Sequence, residues 1–201
     1  MAGDAQLIDE YRTLHATTGW GGTSVKNLRY LRPLVRVLNP ASVIDYGCGK
    51  SILLDELRVP GLDTRDRYDP AIPEIATVPD RRYDLLINVD VLEHIPEEDL
   101  DGVIAEMAGL ADEAILVVDT RPAALVLEDG RNAHVSLHDH HWWKARLERH
   151  YGPIHPIRVS RRGRAAFRTW PMSLGQRIAW GWYRVVETLR YFGRRARGLK
   201  Y

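Results

Sequence analysis

Two carboxylates and two glycines are the first residues in this chain that could do chemistry together. Asp45-Tyr46-Gly47-Cys48-Gly49-Lys50-Ser51 runs out of a short apolar stretch, and Asp69 lies twenty residues after Gly49. Gly49-Lys50-Ser51 imitates the end of a phosphate-binding P-loop, but that motif needs a glycine where Ile44 stands. The dinucleotide fingerprint needs a third glycine where Ile52 stands. A third reading is an acid followed by Gly-x-Gly at the carboxyl end of a strand. Its glycines let the backbone pass close to a bulky ligand, and Asp45 can pair with an ammonium group. Asp69, at the end of the next strand, can take both hydroxyls of a ribose. The ligand this describes is a nucleoside that carries an amino group and no phosphate; S-adenosylmethionine fits. The bland alternative is a loop that merely turns a strand into a helix.

Histidines supply the candidate acid–base groups. His94 follows the run Tyr83–Val89, and His134 lies in the loop after Ala114–Asp119. Both fall over the strand ends where ligands bind in open α/β sheets. An imidazole titrates near neutrality, so either could remove a proton from an acceptor, or only shape the pocket. Asp90 reads as a pocket-lining residue and Glu93 as a helix-start acid. His134, His138, His140 and His141 gather around Asp139, yet they lack the HExxH spacing and offer one carboxylate where magnesium prefers several. No metal is expected; histidines at the start of a helix account for the cluster.

The elements that must position these groups follow from periodicity. Leu7–Leu14 is amphipathic, and Trp20-Gly21-Gly22-Thr23-Ser24 is turn-rich. Leu28, Leu31, Leu34, Val35 and Leu38 share one face of a helix that Asn39-Pro40 stops. Strands are expected at Ser42–Tyr46, Asp66–Asp69, Tyr83–Val89 and Ala114–Asp119. Helical spacing covers Ile52–Leu57, Glu97–Leu110, whose first turn holds three acids, and Trp142–His150. Ile154–Ser160 and Ala165–Trp170, with Arg161-Arg162-Gly163-Arg164 between them, suggest an antiparallel hairpin. Strands alternating with helices predict an α/β fold with a doubly wound, mostly parallel sheet. Neither an internal repeat nor a low-complexity segment interrupts this pattern.

From about Ser42 to Trp170 the chain resembles the class I S-adenosylmethionine-dependent methyltransferases of small-molecule type. Asp45-Tyr-Gly-Cys-Gly is similar to their first motif, and Tyr68-Asp69-Pro70 to their ribose-binding acid. Tyr83-Asp84-Leu-Leu-Ile-Asn-Val-Asp90-Val-Leu-Glu93-His94-Ile95 resembles their fourth-strand segment, and Asn132-Ala-His134 a late histidine segment. Lys50-Ser51 departs from the x-Gly of many members. The resemblance implies seven strands ending in an antiparallel hairpin, with extra N-terminal helices and a basic C-terminal helix added here. It implies S-adenosyl-L-methionine held by Asp45, Tyr46, Gly47, Cys48, Gly49, Asp69, Pro70, Asn88, Val89 and Asp90, with His134 and His94 at the acceptor.

Charge separates the body from the tail. The formal net charge is +1, yet from Arg158 onward twelve basic residues meet a single acid, Glu187. Ile178, Trp182, Val185, Leu189 and Phe192 fall on one helical face, among Arg177, Arg184, Arg190, Arg194, Arg195 and Arg197. Such a helix suits an anionic membrane surface, packing on this domain or in a homo-oligomer, or, less well, nucleic acid. Residues 1–172 are therefore read as the methyltransferase domain and 173–201 as a basic amphipathic helix.

Composition closes other options. Hydrophobic content of 45% and charged content of 27% are ordinary for a globular domain. One cysteine excludes a disulfide framework. No apolar run approaches the ~18 residues of a membrane span, and the first residues lack the order of a signal peptide. The expectation is a cytoplasmic enzyme, peripheral at a membrane if its last helix binds one. Its acceptor is an O or N atom of a small molecule, sugar or lipid-linked glycan; the alternatives are an RNA methyltransferase and a non-catalytic partner subunit.

Overall fold

A computed structural model describes residues 5–17, 24–127, 130–159 and 163–198. The expected turn at Trp20–Thr23 and the tip of the expected hairpin, Ser160–Arg162, lie outside these residues. Helices α1 (Ala5–Thr17) and α2 (Leu28–Leu38) precede strand β1 (Ser42–Tyr46). The chain continues through α3 (Leu53–Glu56), β2 (Thr64–Tyr68), β3 (Tyr83–Val89), α4 (Glu97–Leu110) and β4 (Ala111–Asp119). It ends with α5 (His140–Tyr151), β5 (His155–Pro156), β6 (Arg164–Arg168) and α6 (Leu174–Ala196).

The sheet order is β2-β1-β3-β4-β6-β5, parallel through β4 and antiparallel at β6 and β5. Consecutive residues on the central strands are buried on opposite faces, as a doubly wound sheet requires. Val43, Leu85 and Ile115 join a core shared with α2 and α3, whereas Ile44, Leu86 and Leu116 join one shared with α4 and α5.

Among the described residues the sheet has six strands, not the seven implied by the resemblance. Only fourteen residues separate β2 from β3, and Pro70, Pro73 and Pro79 fall among them. They form a 3-10 turn at Pro73–Ile75 and leave β2 as the sheet edge. The expected hairpin is present but short, with two residues of β5 paired to β6.

Helix α6 lies antiparallel along α2. Arg29, Arg32 and Arg36 meet Tyr191, Glu187 and Tyr183 in turn, two stacks on either side of a 2.6 Å ion pair. A capping box between Ser173 and Gln176 starts the helix. The apolar stripe named above faces away from the body, so its packing on this domain is ruled out. The covered face is the opposite one, where Glu187 is fully buried.

Candidate active site

The glycine loop is held as an extension of β1. Gly47 and Cys48 donate their N–H groups to the Tyr68 carbonyl at 2.7 and 3.1 Å, which carries the parallel pairing past the strand end. Gly47 has φ +73°, and a Cβ there would meet both Val91 methyls at 2.7 Å. Only glycine fits. Gly49, also at positive φ, donates its N–H to Asp69 at 2.7 Å, and Ala71 N–H donates to the other carboxylate oxygen at 2.9 Å. Asp69 is thereby aimed along the loop from the end of β2.

A cavity of about 700 Å³ opens over these strand ends. Of the residues expected at the cofactor, Tyr46, Gly47, Cys48, Gly49, Asp69, Pro70, Val89 and Asp90 line it. Asp45 and Asn88 do not. Asp45 is 1% exposed beneath the loop, with one carboxylate oxygen unpartnered. Burial, opposed by Arg67 and reinforced by Asp69, pushes its carboxyl up to about 7. Asn88 is fully buried and donates to the Tyr46 carbonyl at 2.9 Å, tying β3 to β1. Each stands one residue inside its strand, before the strand end (Tyr46, Val89) that reaches the cavity. The contact between Asp45 and an ammonium group expected from sequence is therefore corrected to a position under the cavity floor. Burial also raises the Cys48 thiol, which keeps it protonated and excludes a nucleophilic role.

Both candidate bases reach the same wall, where their rings pack edge to face at 4.7 Å. His134 Nδ1 lies 2.5 Å from the Arg121 carbonyl, and His94 Nδ1 lies 2.8 Å from the Ala133 carbonyl. A carbonyl only accepts, so each Nδ1 carries the proton and, in the neutral ring, each Nε2 keeps its lone pair. Tyr11 on α1 donates to the same Ala133 carbonyl at 3.1 Å and packs on the His94 ring. Leu7, Ile8 and Tyr11 line the cavity together with Pro122–Leu125, and Leu7, Tyr11, Ala123 and Leu125 share one apolar cluster. Sequence reasoning missed this wall, because α1 carries no motif and its contacts span more than eighty positions.

Carboxylates and arginines frame the far side. Asp90, held at φ 59°, takes Arg164 at 2.7 Å, and Arg164 also approaches Asp119 at 3.7 Å. Burial opposes ionisation of Asp119, but the hydrogen bonds and charges of Arg121 and Arg164 outweigh it and hold the carboxyl below its usual range. Glu93 stands in the first turn of a 3-10 helix, Leu92–His94, as expected, but faces inward. It is fully buried and accepts the Asp119 N–H at 2.9 Å, and its carboxyl is pushed well up by burial and by the charge of Asp90. Potential ligand atoms of Glu93, His94 and His134 lie within 4.8 Å of one another, so these three could hold a cation. His138, His140 and His141 join no group of potential ligands among the described residues. Asp139 caps α5 by accepting the Trp142 N–H, and His138 stacks on Trp142 and meets Glu97.

A family model described as a methyltransferase domain matches residues 25–186. Among solved structures, the methyltransferase domain of a bacterial Hen1 is similar at 14% identity and TM-score 0.53, over 69% of this chain and 94% of that one. The N-methyltransferase NodS of Bradyrhizobium japonicum WM9, in complex with S-adenosyl-L-homocysteine, is similar at 12% identity and TM-score 0.53, over 80% and 97%. A 1,6-didemethyltoxoflavin N1-methyltransferase of Burkholderia thailandensis, with its substrate and S-adenosylhomocysteine, is similar at 11% identity and TM-score 0.54, over 84% and 90%. At these identities the likeness is one of fold. No curated protein matches the sequence.

Proposed function

We propose, on the premise that the chain belongs to the methyltransferase domain family and is an S-adenosylmethionine-dependent methyltransferase, that it methylates an oxygen or nitrogen atom of a small molecule. The observation that carries this reading is one cavity running from the glycine loop to the imidazoles of His94 and His134, whose Nδ1 atoms each face a backbone carbonyl. The cofactor fits the donor set: two glycines at the wall, a carboxylate beside them, and basic wall residues Arg121 and Arg164 both tied to carboxylates. When bound, S-adenosylmethionine supplies a methyl group on a sulfonium.

The chain's own residues do the rest. Asp69 would take the ribose hydroxyls, while Tyr46–Gly49, Pro70, Val89 and Asp90 enclose the nucleoside. His134 Nε2 would accept the proton of a hydroxyl acceptor, and the Arg121 carbonyl stabilises the imidazolium that results. The apolar wall of α1 and Pro122–Leu125 excludes water and favours an acceptor with an apolar part. A second reading rests on the cluster of Glu93, His94 and His134, which could hold a divalent cation that would lower the acceptor's pKa. Loss of turnover on dialysis against a chelator, restored by one divalent metal, would select it.

S-adenosylmethionine at 100 times its dissociation constant should stabilise the protein by about 2.7 kcal/mol, with NADH as the control. Asp69→Ala should forfeit most of that gain. A melting curve indifferent to the cofactor, together with a stable complex in a pull-down, would instead favour a non-catalytic partner subunit. Native mass spectrometry of the purified protein should identify the acceptor. With it, His134→Ala should bind cofactor normally and lose ~10²–10⁴-fold in turnover, while His94→Ala tests the other imidazole. Unchanged turnover in both would remove the general-base role.

A further inference from the structure

Helix α6 presents its most hydrophobic face to solvent. Leu174, Ile178, Trp182, Val185, Leu189 and Phe192 recur every three or four residues and are each more than half exposed, Ile178 at 67% and Leu189 at 68%. A face of this size on an ordinary surface helix would be turned inward. Here the inward face is instead a mixed one, with Trp180 against the core, Glu187 on Arg32, and Tyr183 and Tyr191 on arginines of α2. The stripe is therefore fixed outward by tertiary contacts made on the other side.

Charge says what the stripe meets. At 3.6 residues per turn, Arg190 and Arg197 border it on one side and Arg177, Arg184 and Arg195 on the other. The one acid of the helix, Glu187, is buried between Arg32 and Arg190. The outward half of α6 thus offers apolar side chains, a tryptophan and positive charge alone. A second copy laid against it would oppose arginine to arginine with no acid to relieve them. A polyanion without an apolar layer would leave the stripe in water. No helix among the described residues is long and apolar enough to cross a bilayer.

We infer that α6 docks this protein on an anionic lipid surface, lying in the headgroup layer with Trp182, Leu189 and Phe192 inserted and the arginines against acidic headgroups.

Co-sedimentation with vesicles tests the docking on the full chain. Vesicles of phosphatidylglycerol with phosphatidylcholine should bind the protein, increasingly weakly with salt, and phosphatidylcholine alone should not. Changing Trp182, Leu189 and Phe192 together to serine should lower partitioning by more than tenfold, and Arg195→Glu by about fivefold or more. Because these side chains are exposed, melting temperature and the cofactor-induced shift should not change, which separates failure of docking from failure of the fold or of the cofactor site. Three results would overturn the inference. One is absence of binding to the acidic vesicles. Another is binding that the serine variant retains, which would mean charge alone. The third is a dimer in light scattering that the serine variant dissociates, which would make a second copy the occupant.

Discussion

At the scale of single residues, the site depends on groups that tolerate little. Gly47 combines a left-handed backbone with two Val91 methyls standing where a Cβ would go. Gly47→Ala should cost about 2–4 kcal/mol, read by denaturant unfolding, and should weaken cofactor binding in parallel. Asp45 makes a different prediction. Its carboxyl titrates near 7 when folded, against an ordinary value of 3.8. Between these values the folded chain holds a proton that the unfolded chain has released. The stability this supplies is complete below about pH 4 and is lost as pH rises through about 7. The loss amounts to up to about 4 kcal/mol. Asp45→Asn, which cannot ionise, should therefore gain on the wild type as pH rises from 4 to 8, in melts without cofactor. A constant difference across that range would show that Asp45 is not the titrating group.

At the scale of elements, α6 is held by a polar contact, and that makes the contact expensive to break. Arg32 donates to Glu187 at 2.6 Å and to the Glu56 carbonyl at 2.6 Å, joining α6, α2 and α3. Glu187→Ala leaves Arg32 uncompensated and should destabilise the protein by about 3–5 kcal/mol, whereas the double change Arg32→Met, Glu187→Leu should recover much of that loss. Equal destabilisation by the single and double variants would mean that the pair, not the stranded charge, holds the helix.

The elements themselves were unevenly legible. β1, β3, α2 and α4 fall on the expected residues, because the central strands are largely apolar runs, α2 carries strong periodicity and α4 opens on three acids. Expected at Asp66–Asp69, β2 runs Thr64–Tyr68 instead. Pairing only with β1 at the sheet edge, it can be built from Thr-Arg-Asp-Arg, with no hydrophobic run to mark it. The missing seventh strand has a similar cause, since prolines and a short connection leave nothing to pair beyond that edge.

At the scale of the whole molecule, local order and global choice separate. The sequence by itself determined the doubly wound sheet, the glycine loop and the position of Asp69 at the next strand end, because these follow from periodicity and short spacings. It also marked His94 and His134 as residues over the ligand edge. Only the tertiary structure decided that Tyr11 reaches across eighty-three positions to His94, and that Arg164 crosses seventy-four to hold Asp90. It moved Asp45 and Asn88 beneath the cavity floor and buried Glu93 at the start of its 3-10 turn. It also decided which way α6 faces. Periodicity shows which side chains share a face, but not which face the rest of the chain covers. In α6 the apolar stripe and the polar row were both candidates for burial, and the choice fell to Arg32, a charge on a different helix that needs Glu187 as its partner.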